Sequence, residues 1–156
     1  MERRLRAELQ QTKPFASVEE EVVLEIQRTA QVVMRWCVEA LKPSGLTPQQ
    51  FNVLRILRGA SPNPLSASQI CERMVTYDPD LTRLLDRLEA AGMIRKERHA
   101  EDRRVVNVHV TAAGRETVER ATVAVRARIA EALRGIGPKR LGELADLLEL
   151  VRGNTP

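Results

Sequence analysis

The sequence predicts a mostly helical protein with one small β-hairpin past its middle. Three observations carry this. Aromatic residues make up only 3% of the chain, so the core must be built from Leu, Val, Ile, Ala and Met. That composition suits helix packing better than a sheet sandwich. Helix-start signals recur along the chain, each a capping residue answered by Glu or Gln three positions later. From Met93 the apolar period drops from 3.6 to 2, the spacing of strands.

With 156 residues the chain is long enough for one domain with a sizeable core and short for two. A net charge of +4 and a pI of about 9.6 give a mild bias toward polyanions. Arginine outnumbers lysine heavily, which suits bidentate contacts to phosphate or guanine. Two separated cysteines, Cys37 and Cys71, make no disulfide framework and point to a reducing cytoplasm. The Met1–Lys13 stretch lacks the apolar centre of a signal peptide, and no window is long and apolar enough for a membrane span.

Residues 1–16 read as an N-terminal extension, either a frayed helix with Leu5 and Leu9 on one side or a disordered arm. Ser17 and Glu20 form a capping-box pattern for a helix running to about Leu41, where Lys42-Pro43-Ser44-Gly45 stops it. Its apolar face is wide, with Val22, Val23, Ile26, Val33, Met34 and Trp36. A wide face predicts burial on more than one side. Thr47, Pro48 and Gln50 start the next helix, with Leu46 and Phe51 as a hydrophobic staple, and it ends near Gly59. Ala60–Pro64 is a loop by composition. Ser66 and Gln69 repeat the starting grammar for a short helix to about Met74.

Asp78 and Pro79 read as the cap and first residue of a helix over Asp78–Ala91. Leu81, Leu84, Leu85 and Leu88 fall on one stripe of it, and Gly92 is the expected terminating glycine. Two short strands follow, one through Ile94, Lys96 and Arg98, the other through Val106, Val108 and Val110, joined by a charged loop. Thr111 caps a long helix carrying Val118, Thr122, Val125, Ile129 and Leu133. Gly135–Pro138 breaks it. A last helix puts Leu141, Leu144, Leu148 and Val151 on one face.

A short capped helix, a tight turn and a second amphipathic helix resemble a helix-turn-helix, and the basic hairpin after it resembles a wing. The resemblance then becomes specific. Asp102-Arg103-Arg104, followed after five residues by Val110-Thr111-Ala112-Ala113-Gly114, is similar to the D-x-R-x5-L/V-T-x-x-G signature of the MarR family of winged-helix transcription regulators. Leu88-Glu89-Ala90-Ala91-Gly92-Met93-Ile94 resembles that family's L-x-x-x-G-L/M-I/V. The helix order also fits from Ser17 to Val151.

The resemblance implies a winged helix-turn-helix over 46–114, a dimerisation helix over 17–45, and further dimerisation helices over 115–156. It implies a homodimeric repressor of a pseudo-palindromic DNA site. Arg104 would enter the minor groove and Asp102 would brace that arginine or the loop. Thr82, Arg83 and Arg87 would face the major groove, with Arg83 reading guanine. Ser66, Ser68 and Gln69 would meet phosphates at a helix amino end. Arg95, Lys96, Arg98 and Arg103 would add phosphate charge around the wing. Lys96 stands where the family often has arginine. A small aromatic effector, phenolic for instance, would lie near Trp36, Phe51, Arg55 and Arg115.

Asp78 and Asp80 depart from the family's pattern. Either they face the protein, or one accepts from cytosine N4, or DNA affinity is modest. That leaves a second reading open, a winged-helix dimer acting through protein contacts, and a third, redox sensing by cysteine. Cys37 and Cys71 read as core residues. No nucleophile–base pair, phosphate loop or metal-ligand cluster is present in the sequence, so neither an enzyme nor a cofactor is expected.

Overall fold

A computed structural model describes residues 4–76, 79–98 and 106–153. In chain order these are α1 (Arg4–Glu8), α2 (Val18–Leu41), α3 (Pro48–Ala60), β1 (Leu65–Ser66), α4 (Ala67–Arg73), α5 (Leu81–Ala90), β2 (Ile94–Arg98), β3 (Val106–Val110), α6 (Ala112–Ala132) and α7 (Pro138–Gly153). The capping grammar is realised in detail. Thr47 Oγ1 accepts from the Gln50 amide at 3.2 Å, and Gln50 Oε1 accepts from the Thr47 amide at 3.0 Å. Ser66 and Gln69 exchange the same pair at 3.2 and 2.9 Å. Ser17 caps Glu20, while the Glu20 carboxylate reaches one residue further back, to the Ala16 amide at 2.6 Å.

The hairpin is part of a three-stranded antiparallel sheet in the order β1-β3-β2, rather than standing alone. Leu65 pairs with Val108 on one side of β3, and Lys96 pairs with Val108 on the other. The two residues of β1 are too few to show a period, so only the partner strand defines them. Helix α5 begins at Leu81, not at Asp78. Asp80 occupies the cap position with φ −118° and makes no capping bond, and Asp78 lies outside the described residues. Proline at 79 is compatible with either a first helical turn or a turn before the helix, and the chain takes the second option. The core joins Leu54 and Leu57 of α3, Ile70 of α4, Leu84, Leu85 and Leu88 of α5, Val108 of β3 and Val118 of α6.

One junction ties three elements together. Gly92, at φ +70°, ends α5, and the Met93 amide donates to the Leu88 carbonyl at 2.9 Å while the Gly92 amide donates to Glu89 at 2.8 Å. This is the Schellman arrangement, which needs the left-handed residue that glycine supplies without steric cost. Thr111 then returns to the same spot. Its hydroxyl donates to the Gly92 carbonyl at 2.7 Å and accepts from the Gly114 amide at 3.0 Å, and its own amide donates to the Met93 carbonyl at 3.1 Å. A Cβ on Gly114 would stand 2.0 Å from the Met93 carbonyl oxygen. The T-x-x-G of the sequence signature is thus a packing requirement where α6 crosses the end of α5.

The described part of the N-terminal extension opens with the short helix α1, and the residues after it up to Ala16 are not helical. Leu5 is buried, Arg6 donates to the Gln11 and Thr12 carbonyls at 3.3 and 3.1 Å, and Glu8 pairs with Arg28 of α2 at 3.4 Å. Helix α2 buries only Leu41, despite its wide apolar face, and α7 buries nothing. The two line an apolar groove of about 460 Å³ with Val22, Ile26 and Val33 facing Leu144, Leu147 and Val151. Cys37 and Cys71 are partly exposed and stand outside the core cluster, contrary to their reading as core residues. Helical spacing placed both near apolar positions without saying which way the helix turns.

Candidate nucleic-acid interface

Helix α5 docks on the core by its leucine stripe, which leaves Thr82, Arg83, Asp86, Arg87, Glu89 and Ala90 outward. The Arg83 guanidinium stands 3.4 Å from the Asp80 carboxylate, one turn earlier, with both side chains largely in solvent. Asp80 therefore faces a cation of its own helix. Such an exposed pair contributes little stability, about 0.5 kcal/mol, and is easily exchanged for another partner. Arg87 is exposed and makes no ion pair among the described residues.

Ser66 and Gln69 are engaged in their capping box at the amino end of α4, and Ser68 is exposed beside them in the first turn. On β2 the side chains alternate. Arg95 and Glu97 share one face, paired at 2.8 Å, with His109 of β3 at 3.7 Å from the same carboxylate. Ile94 and Lys96 share the other, toward α5. Ile94 is buried, and the Lys96 ammonium is held by Asp86 and Glu89. Arg98 is exposed at the far end of the strand, opposite Val106. Beyond that pair, Asp102, Arg103 and Arg104 lie outside the described residues.

Burial would push the Lys96 pKa down. The hydrogen bonds and negative charges of Asp86 and Glu89 outweigh it and hold the pKa above the ordinary lysine value. A raised pKa favours the folded state below the unfolded lysine pKa, and the contribution is lost only as pH rises through the folded value. At neutral pH the Lys96 ammonium is charged.

A second site lies where α2, α3 and α6 meet the segment after α4. It is a cavity of about 210 Å³ lined by Met34, Cys37, Phe51, Arg55, Met74 and Ile129, among others. The Arg55 guanidinium sits over the Phe51 ring at 5.6 Å. Of the four side chains expected around an effector, Phe51 and Arg55 line this cavity and Trp36 and Arg115 do not. Trp36 is covered by Arg128 of α6 at 5.6 Å, which is itself anchored to Glu39 at 3.6 Å. Arg115 donates to the Ser61 hydroxyl at 2.6 Å, fixing the end of α3 to α6. The lining residues that sequence reasoning missed, Met34, Met74 and Ile129, come from separate elements. They have no spacing in common that a sequence pattern could reveal.

Helix α4, the turn, the outward face of α5 and the three-stranded sheet define a winged helix-turn-helix protein. Residues 44–105 match the MarR family model. The HTH-type transcriptional regulator YkoM of Bacillus subtilis (strain 168) is 32% identical over 108 residues, covering 69% of this chain and 69% of YkoM. The chain belongs to the MarR family of transcription regulators and is not an enzyme. It is also similar to the HTH-type transcriptional repressor MdtR of the same organism, 31% identical over 94 residues, or 60% of this chain and 59% of MdtR. The structure of NadR in complex with 4-hydroxyphenylacetate shares the fold, with a TM-score of 0.71 at 23% identity, over 92% of this chain and 100% of NadR. Among the described residues no helix is long and apolar enough to cross a membrane.

Proposed function

We propose that the chain is a homodimeric repressor that covers a pseudo-palindromic promoter site and is released by a small aromatic effector. The observation that carries the proposal is the outward face of α5, where Thr82, Arg83 and Arg87 stand free of the core beside the strands of the wing. Arg83 meets guanine O6 and N7 in the major groove, exchanging its exposed tie to Asp80 for a bidentate base contact. Arg87, Arg95, Arg98 and Arg103 neutralise phosphates. Ser68 approaches the backbone at the amino end of α4, with Ser66 and Gln69 holding that turn open. Arg104 is the residue assigned to the minor groove, with Asp102 to support that arginine or the loop. Two copies joined through α2 and α7 set their α5 helices one turn of DNA apart, about 34 Å.

The effector site is the cavity beside Phe51 and Arg55, where an aromatic ring meets an apolar wall and an anionic substituent meets the guanidinium. Repression has the name of MdtR as its nearest support, and a phenolic effector has the ligand of NadR.

The test is a titration against the protein's own promoter and against random DNA at two salt concentrations. A large ratio of specific to non-specific affinity and a steep salt slope are expected. Equal, weak binding to both overturns the proposal in favour of action through protein contacts. Arg83→Ala is expected to cost about 1–3 kcal/mol and to relax the preference at one base pair per half-site. Unchanged affinity in a variant that folds normally would move base reading off α5.

A further inference from the structure

Asp86 and Glu89 are acids on a helix face meant for a polyanion, and Lys96 is a cation that does not reach solvent freely. The structure joins the three. Asp86 Oδ1 is hydrogen-bonded to the Lys96 ammonium. Glu89 Oε2 lies 3.3 Å from the same ammonium, and its other oxygen accepts from the Lys96 backbone amide at 2.9 Å. Glu89 thus grips β2 by main chain and side chain together. The Lys96 side chain is 20% exposed, against 60% for Arg95 next to it. With two carboxylates around one ammonium the cluster carries a net charge of −1, the wrong sign for a phosphate site.

We propose that Lys96 is a positioning residue, which with Asp86 and Glu89 locks the wing to the recognition helix at a fixed angle, and not a phosphate ligand. This rests on the reading of α5 and the wing as the DNA-contacting pair. Strand β2 leaves α5 through Gly92 and Met93, where Thr111 also ties the end of β3, and Ile94 and Val108 seat the root of the sheet in the core. The cluster adds the tie that lies furthest out, two residues further along the strand than Ile94. From Lys96 to Arg98, the last described residue of the strand, is two residues, or roughly 7 Å at 3.3 Å per residue. A rotation of about 10° at the root therefore moves Arg98 by roughly 1 Å, enough to weaken a hydrogen bond to DNA while its charge stays near the phosphates. The two acids are satisfied internally and directed toward β2, which also explains how this face tolerates them.

The experiment compares the wild type with Lys96→Met, Lys96→Arg, Glu89→Gln and Arg98→Ala. All are full-length proteins, titrated on promoter and random DNA at several salt concentrations near pH 7, with amide hydrogen exchange followed in the free proteins. Lys96→Met is expected to lower promoter affinity about tenfold, the scale of one charge-assisted hydrogen bond. Its slope of log affinity on log salt should equal that of the wild type, because no phosphate contact is lost. Arg98→Ala should lower that slope by about one unit. Lys96→Arg should recover most of the affinity, and exchange in β2 should quicken in Lys96→Met without DNA. Glu89→Gln keeps the acceptor for the main chain and should show a smaller loss of the same kind, which serves if Lys96→Met does not fold. A slope reduced by about one unit in Lys96→Met, or promoter affinity unchanged while β2 exchange quickens, overturns the proposal. If the wild type cannot tell promoter from random DNA, the proposed function fails, and the exchange result separately reports whether the brace exists.

Discussion

Gly114→Ala is expected to destabilise the protein by about 3 kcal/mol, lowering Tm by roughly 6–12 °C for a chain of this size. The new methyl group would stand 2.0 Å from the Met93 carbonyl oxygen and 2.9 Å from the Met93 carbonyl carbon. Neither can yield cheaply. Both are backbone atoms, and the same carbonyl accepts the Thr111 amide. Moving α6 away would break the Thr111 contacts to Gly92 and Met93 together. The control is Gly59→Ala within α3, where an added Cβ meets nothing within 4 Å and a gain of about 0.5–1 kcal/mol is expected. Thermal or urea denaturation at one fixed protein concentration decides it, since dissociation would shift Tm with concentration. Equal stability of the two variants would mean that α6 does not cross α5 this closely.

The second large effect is expected at α7. Leu147→Glu should raise the dimer dissociation constant at least about 100-fold and weaken promoter binding in step. Helix α7 has 16 residues and buries none of them in its own chain. Leu144, Leu147, Leu150 and Val151 are 47%, 60%, 63% and 50% exposed. Isolated helices of this length are marginal in water, so a helix that contributes no core needs a partner surface. Burying one leucine is worth about 1.5–3 kcal/mol, and in a two-fold interface each substitution counts twice. About 3–6 kcal/mol follows, before the cost of a buried carboxylate is added. Sedimentation equilibrium measures the first quantity and a promoter titration the second. A wild-type protein that sediments as a stable monomer at micromolar concentration would sink the dimer proposal.

The parts of this fold that were legible in the sequence are those whose interactions span three or four residues. Thr47 with Gln50, Ser66 with Gln69 and Thr111 with Gly114 are local bonds, so residue type and spacing sufficed. The leucine stripe of α5 was legible for the same reason, as helical period. What was not legible depends on partners distant along the chain. Strand β1 exists only because β3 runs beside it. Leu5 is buried only because the chain folds back, with Glu8 reaching Arg28. Lys96 reads as one more basic residue of the wing until Asp86, ten residues earlier, is placed against it. The start of α5 failed differently. Asp78 and Pro79 fit the cap and first helical position, yet the helix begins at Leu81 with Asp80 at the cap, a choice the local pattern does not make. The signature around Asp102 and Arg104 identified the family, while the structure accounts for only its second half, Thr111 and Gly114.

The junction at Gly114 has a mechanical consequence. Helix α6 is 21 residues long, about 31 Å, and its first turn is welded to the end of α5 with no joint between them. It therefore acts as a rigid arm that carries α5 at its near end. A tilt of about 5° at the distal end swings the other by roughly 3 Å over that length. Hydrogen-bonded base contacts tolerate only a few tenths of an ångström. A change at the far end of α6 too small to alter any fold would reach α5 as a displacement of that size.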